Sequence, residues 1–133
     1  MKASVRLLKS DNPYVKGNNV NRRIKMISMI RLGDIIKKLD QPWSPVEVAR
    51  VNDQVVRMSL VKGEYHWHKH TSEDELFYVY RGKIVIQLKD QNDIDLHEGE
   101  MVVIPKGVEH CPKSIEPSYV LVFEPHGLKS RGD

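Results

Sequence analysis

The length and composition of the sequence are those of one globular domain. The chain has 133 residues, of which 40% are hydrophobic and 29% are charged, and this balance excludes a chain that is disordered throughout. No uncharged stretch approaches the roughly 20 apolar residues that a membrane-spanning helix needs, so we expect no membrane partner. The N-terminus lacks the apolar segment of a secretory signal, and a single cysteine cannot form an intramolecular disulfide. We therefore expect a cytoplasmic protein.

The net charge of +3 is unevenly distributed along the chain. Residues 1–25 carry seven basic side chains and one acidic side chain, whereas the remainder carries 14 basic and 17 acidic side chains. The basic stretch contains Pro, Gly and several Asn residues without a sustained apolar period, so residues 1–28 are interpreted as a flexible basic extension. An organelle-targeting peptide is one alternative interpretation of this extension, and a nucleic-acid contact is another. We do not expect the nucleic-acid contact, because the rest of the chain has no basic stripe with interleaved aromatic residues.

The first predicted element is a short helix. Apolar residues recur at helical spacing between Ile30 and Leu39, with Asp34 near the start and two lysines near the end. This pattern predicts a helix over about residues 31–39, and Pro42 and Pro45 follow it.

Short apolar segments separated by turn residues follow the predicted helix, about one every ten residues. They lie at residues 46–51, 55–61, 76–80, 84–88, 94–96, 101–104 and 119–123. The glycine in Arg81-Gly82-Lys83 predicts a hairpin turn between two of these segments. Because no helices intervene, the pattern indicates an all-β sandwich or barrel rather than a parallel sheet.

Three of the six histidines fall within five residues, at His66, His68 and His70. In an extended segment alternate side chains share a face, so we expect the three imidazoles to project to one side. Three consecutive acidic residues follow, and of these Glu75 has the parity of Phe77, which we expect to face the interior. Neutral imidazole nitrogens combined with an anionic oxygen suit a divalent transition metal.

A second stretch carries another candidate ligand. Between Gly99 and His110 an apolar run is followed by the turn Pro105-Lys106-Gly107, which would bring His110 back across a barrel. By itself this stretch is weakly informative, since many sheets carry such a turn.

Together, the two stretches resemble the two motifs of the cupin superfamily. The first has His68, one residue, His70, four residues, Glu75, six residues and Gly82; the second has Gly99, five residues, Pro105, one residue, Gly107, two residues and His110. Trp67 before the first ligand histidine makes the chain similar to small single-domain cupins of the mannose-6-phosphate isomerase-like group. Where the second motif commonly ends in Asn, this chain has Ser114, at a position that is not a metal ligand.

The resemblance implies a fold and a metal site. It implies a double-stranded β-helix, or jelly-roll barrel, with a short N-terminal helix, over a single domain at residues 29–128. It also implies that His68, His70, Glu75 and His110 bind a divalent metal ion. Three imidazoles and one carboxylate suit Fe, Mn, Ni, Co or Zn.

Several functions are compatible with this site. The first is a metal-dependent enzyme, isomerase-like or dioxygenase-like, that acts on a small oxygenated organic molecule; the alternative is a non-catalytic module that binds or senses a small ligand. For an enzyme, His66 is the candidate for proton transfer, whereas the alternative is an ordinary strand histidine. We also expect a homodimer, because the edge strands of an open jelly roll are commonly covered by a partner.

The chain closes with a polar tail, residues 129–133. Its last three residues, Arg131-Gly132-Asp133, spell an adhesion tripeptide. We interpret this as coincidence in an unanchored tail.

Overall fold

A computed structural model describes Arg6–Leu7 and residues 23–133, and the chain divides into two compact units. In the first unit, Met1–Ile30, strand β1 at Arg6–Leu7 pairs antiparallel with strand β2 at Arg23–Ile24. Most of the predicted flexible extension, residues 1–5 and 8–22, lies outside the described residues. The second unit, Arg31–Asp133, contains all other elements described below.

The second unit begins with a helix, α1, at Leu32–Ile36. It is shorter than the stretch of 31–39 that the apolar spacing predicts. Ile35 and, beyond the helix, Leu39 are buried, and both belong to one apolar cluster with Met58 and Leu60. The apolar residues that recur at helical spacing therefore pack against Met58 and Leu60 and cover one face of the sheet.

The remaining strands of the second unit are antiparallel, which confirms the predicted all-β class. They form one seven-stranded sheet within the described residues: β3 at Val46–Val51, β4 at Gln54–Glu64, β5 at Glu75–Arg81, β6 at Lys83–Leu88, β7 at Ile94–His97, β8 at Met101–Ile104 and β9 at His110–Pro125. No helix in the described ranges, Arg6–Leu7 and 23–133, is long and apolar enough to cross a membrane.

The long strand β9 is the centre of this sheet. Along one edge it pairs with β4, from Gln54 opposite Pro125 to Glu64 opposite Lys113. Along the other edge it pairs first with β6 and then with β5. The strand was predicted only at residues 119–123; its first half contains two prolines and several polar residues, and cross-strand pairing overrides that weak local signal.

The predicted hairpin at Gly82 is wrong. Among the described residues β5 and β6 do not pair with each other; both pair with β9, so that they follow one another along its edge. Gly82 has a φ of +92°, and a Cβ at this position would collide with Ser118 Oγ of β9. Glycine is thus required at position 82 because the chain bends there and passes close to β9 between β5 and β6. A glycine between two apolar segments is also typical of a hairpin turn, so the sequence alone does not distinguish the two.

The core lies on the inner face of the sheet. In β6 the buried residues alternate as predicted, with Ile84, Ile86 and Leu88 inside. They belong to a cluster of buried apolar residues from five further segments of the chain: Val61, Phe77, Val79, Leu96, Ile104 and Val120. This packed interior supports the candidate site at the end of β4 and the starts of β5 and β9.

Candidate metal centre

The four predicted ligands come from two separate parts of the chain. His68 and His70 lie in the connection between β4 and β5, Glu75 is the first residue of β5, and His110 is the first residue of β9. The backbones of His68 and His110 are joined by two hydrogen bonds, with N···O distances of 3.0 Å and 2.9 Å. The sheet therefore holds the connection against β9.

These side chains converge on one point. One ligand atom from each of His68, His70, Glu75 and His110 lies within 4.8 Å of the others. His70 Nε2 is 3.3 Å from Glu75 Oε2, and His110 Nε2 is 3.6 Å from Glu75 Oε1. Glu73 and Asp74, the competing carboxylates of the sequence, are not part of this cluster.

The orientation of the rings leaves their Nε2 atoms available to an ion. His68 Nδ1 donates to the carbonyl of His66, and His110 Nδ1 donates to the carbonyl of Val108, each at 2.9 Å. With Nδ1 protonated, Nε2 of a neutral imidazole carries the lone pair. Nε2 of His70 and of His110 is buried and lacks a hydrogen-bond partner among residues 24–133. Buried polar atoms without partners are rare, and a divalent cation would satisfy both. The donor set therefore fits a metal ion.

Burial keeps one predicted ligand, His68, in the neutral form that can bind a metal ion. Removal from solvent lowers the pKa of His68 from 6.5 to about 4, with the neighbouring His110 acting in the same direction. His68 is therefore neutral at neutral pH. Because a metal ion and a proton compete for the same lone pair, this low pKa favours metal binding.

The carboxylate of Glu75 has a second buried carboxylate beside it, that of Glu124. Burial acts to raise the pKa of Glu75, but the neighbouring imidazoles of His110 and His70 outweigh it and hold this pKa below its usual range. Burial and the neighbouring Glu75 raise the pKa of Glu124, although Arg57 opposes them. A cation among the ligands would favour the ionised form of both.

A small cavity adjoins the cluster. Its volume is about 70 Å³, less than half the roughly 150 Å³ of a cavity that accepts benzene. Its walls are mostly apolar, from Trp43, Pro45, Val61, Phe77, Ile84, Pro112, Val120 and Val122. Its polar lining is Arg57, Ser59, Tyr65, His68, Glu75, Glu124 and Ser130. The site thus combines an apolar pocket with a few convergent polar groups, as ligand sites usually do.

The sequence did not single out Arg57 or Glu124 as site residues. Both lie on inward-facing positions, Arg57 between Val55 and Ser59 on β4, and Glu124 two residues after Val122 on β9. Their side chains form a salt bridge in which Glu124 is 2% exposed and Arg57 is 13% exposed. The sequence pattern that could have identified them is a charged residue at a position of the strand where the alternation of side chains predicts an inward-facing one.

His66, the predicted proton-transfer residue, lies beside the cluster rather than in it. Its ring centroid is 5.1 Å from that of His68, and its Nε2 donates to the carbonyl of Arg131 at 2.9 Å. It is not among the residues that line the cavity in the described part of the chain. A catalytic role for His66 stays a prediction.

The fold and the cluster define the class of this protein, an antiparallel β barrel with three histidines and one glutamate converging at a candidate metal centre. Residues 56–124 match the cupin domain family, and the chain belongs to that family. The assignment to the mannose-6-phosphate isomerase-like group stays a prediction.

Two relatives and one solved structure illustrate the similarity. The chain is 34% identical to the uncharacterized protein YdbB of Bacillus subtilis (strain 168) over 90 residues, which cover 68% of this chain and 77% of YdbB. It is 30% identical to 3-hydroxyanthranilate 3,4-dioxygenase 2 of Aspergillus fumigatus (strain CBS 144.89 / FGSC A1163 / CEA10) over 76 residues, 55% of this chain and 40% of that enzyme. A crystal structure of a cupin-2 domain containing protein from Shewanella frigidimarina NCIMB 400 superposes with a TM-score of 0.71 at 41% identity, covering 73% of this chain and 94% of that one.

Proposed function

We propose that this protein is a metal-dependent enzyme that binds one divalent ion and acts on a small oxygenated organic molecule. The ion would be held by His68, His70, Glu75 and His110. The observation that carries the proposal is the pair of buried, unpartnered Nε2 atoms of His70 and His110, among the described residues, that face the Glu75 carboxylate. In a polar cluster that binds no ion, these buried Nε2 atoms would be expected to have hydrogen-bond partners of their own.

The donor set restricts the choice of metal to a group of ions. Three imidazole nitrogens and one carboxylate oxygen suit Fe, Mn, Ni or Co with positions left open, or Zn with four ligands. A bound ion of this kind supplies Lewis acidity toward a substrate oxygen and, if it is redox-active, reactivity with dioxygen.

The residues around the cavity have their own roles. Phe77, Ile84 and Val122 would exclude water from a bound ligand and contact its hydrocarbon part. Arg57 holds the Glu124 carboxylate at the cavity wall, where it can accept a hydrogen bond from a ligand hydroxyl or amino group. His66 is the proposed proton-transfer residue.

A dioxygenase is the first candidate for the reaction class. The fungal relative, 30% identical over part of its length, is a 3-hydroxyanthranilate 3,4-dioxygenase. The apolar cavity beside a candidate metal centre supports a substrate with an oxygenated, partly hydrocarbon skeleton. An isomerase-like activity, which would not consume oxygen, is the second candidate.

We also propose that the protein forms a homodimer. Cross-strand pairs align apolar residues on the outer face of four adjacent strands, an apolar sheet face made of Val56, Leu76, Met101, Val103 and Phe123. Three of these are exposed: Met101 by 60%, Val103 by 51% and Phe123 by 37%. Contiguous apolar patches on a protein surface are typical of an interface, and strand β8 lies at an edge of the sheet.

The proposed activity can be tested with purified protein loaded in turn with Fe(II), Mn(II) or Zn(II). Oxygen uptake is measured with small oxygenated organic acids, including aliphatic ones that suit a cavity of about 70 Å³. Isomerisation is followed separately by NMR. Uptake that requires both Fe(II) and substrate supports the dioxygenase. Turnover without oxygen uptake supports the second candidate. Tight binding of metal and ligand without turnover contradicts the enzyme and supports the binding module.

A further inference from the structure

The last residues of the chain are attached to the metal-binding connection. The backbone N–H of Thr71 donates to Asp133 Oδ1 at 2.8 Å, and the N–H of Asp133 donates to the carbonyl of Lys69 at 3.1 Å. His66 Nε2 donates to the carbonyl of Arg131 at 2.9 Å. The prediction of an unanchored polar tail is therefore wrong, because the tail is hydrogen-bonded to residues 66–71, which are distant from it in sequence.

The contact between the two segments requires a glycine. Gly132 has a φ of +88°, and a Cβ on this residue would lie 2.7 Å from the Cβ of His68 and 2.8 Å from the carbonyl oxygen of Lys69. Such distances are shorter than van der Waals contact, so a side chain at this position would push the tail away from His68. Gly127, in contrast, has open space around a Cβ.

The connection needs such support, because it contains two ligands but little regular structure. Residues 65–74 form no strand; Tyr65 and His68 hydrogen-bond to β9, and the carbonyl of His70 accepts a hydrogen bond from the N–H of Gly107. The tail contacts lie at residues 66, 68, 69 and 71, on both sides of His68 and next to His70. Ser130, at the start of the tail, also lines the cavity beside the cluster.

We propose that Ser130–Asp133 is a clasp that positions His68 and His70 for metal binding and closes one side of the ligand cavity. The effect of the clasp on metal binding rests on the proposed function, whereas its stabilisation of residues 66–71 through hydrogen bonds does not. The sequence Arg131-Gly132-Asp133 is thus explained within the fold: Gly132 permits the close approach and Asp133 provides the acceptor. Asp133 acts through Thr71 and Lys69, so it is a positioning residue.

The hold on the connection is tested by hydrogen exchange in the full chain without metal. Asp133→Ala removes the acceptor for Thr71, and we expect roughly fivefold faster exchange of the Thr71 amide, the effect of about one lost hydrogen bond. Asp133→Asn keeps an acceptor oxygen and is expected to retain protection. Gly132→Ala is expected to accelerate exchange across residues 66–71, whereas Gly127→Ala is the matched control. Unchanged exchange in both Asp133→Ala and Gly132→Ala, or equal acceleration of the β9 amides, would overturn the clasp.

The positioning of the ligands is tested by the rate at which Zn²⁺ leaves the same variants in the presence of excess chelator. We expect release from Asp133→Ala and Gly132→Ala to be several-fold faster than from wild type, Asp133→Asn and Gly127→Ala. If wild type binds no Zn²⁺, Fe²⁺ or Mn²⁺, the proposed function fails while the exchange experiment still decides the clasp. If the connection exchanges faster but Zn²⁺ release is unchanged, the clasp does not position the ligands and the proposal is contradicted.

Discussion

His68 and His110 pair through two backbone hydrogen bonds, although His68 belongs to the connection after β4 and His110 begins β9. This backbone pairing brings the two halves of the candidate metal centre together. Each ring is also oriented by a backbone carbonyl through Nδ1. The fold therefore already restricts the conformations of these side chains, so that less conformational entropy is lost when an ion binds. A preorganised site of this kind binds an ion more tightly than a flexible one.

The first prediction concerns metal content. We expect wild type to contain close to one divalent ion per chain, and His68→Ala combined with His110→Ala to contain almost none, because half of the ligand set is lost. Elemental analysis measures both. His97→Ala, which removes an exposed histidine of β7, is the control and should retain the ion. Equal metal content in the double variant and wild type would refute the site.

The second prediction concerns pH in the metal-free protein. Because the pKa of His68 is lowered from 6.5 to about 4, the folded protein binds fewer protons than the unfolded chain between these values. The contribution of His68 to stability is therefore present above pH 6.5 and is lost as the pH falls toward 4. An NMR titration of the His68 ring, identified by its absence in His68→Gln, should give a midpoint near 4. A midpoint near 6.5 would contradict the burial argument.

The third prediction concerns the buried ion pair of Arg57 and Glu124. Arg57→Met leaves the buried Glu124 side chain, whose pKa is already raised by burial and by Glu75, without its charged hydrogen-bond donor, and we expect a loss of about 2 kcal/mol in the free energy of unfolding. Adding Glu124→Gln should recover much of this loss. Arg50→Met is the matched control, because its pair with Glu47 is exposed and is expected to contribute less than about 1 kcal/mol. Urea unfolding measures all four proteins, and equal losses in the two single variants would show that burial is not decisive.

The fourth prediction separates metal binding from turnover. His66→Ala keeps all four ligands, so we expect the ion to be retained, and turnover, where it is found, to be lost. His66→Gln can still donate to the carbonyl of Arg131 but cannot transfer a proton. If His66→Gln has wild-type activity while His66→Ala does not, the role of His66 is to contact the tail, and proton transfer is excluded.

The fifth prediction concerns the homodimer. Light scattering should give about twice the chain mass of 15.4 kDa for wild type. Val103→Lys places a charge on the apolar sheet face and is expected to shift the protein to monomer, because a buried unpaired charge is strongly unfavourable. Ile115→Lys is the control, since Ile115 is 97% exposed and lies outside that face. A monomer in wild type at high concentration would contradict the proposal.

Local sequence predicted most of the strands and the four candidate ligands. The alternation of Ile84, Ile86 and Leu88 predicts a half-buried strand because side chains alternate between the faces of a sheet, and this pattern is a property of neighbouring residues. The spacing of His68, His70 and Glu75 likewise lies within one short segment. Such signals can be interpreted from the sequence because they depend on few residues and on the geometry of one element.

Tertiary structure decided the features that join distant segments. The bend at Gly82, the length of β9, the pairing of Arg57 with Glu124 and the contact of Gly132 with His68 each depend on the register between strands far apart in sequence. The backbone conformations that a glycine or an aspartate prefers are the same whether the residue lies in a hairpin, in a bend or in a free tail. Only the folded chain selects among these, because burial and pairing energies between distant segments exceed local propensities.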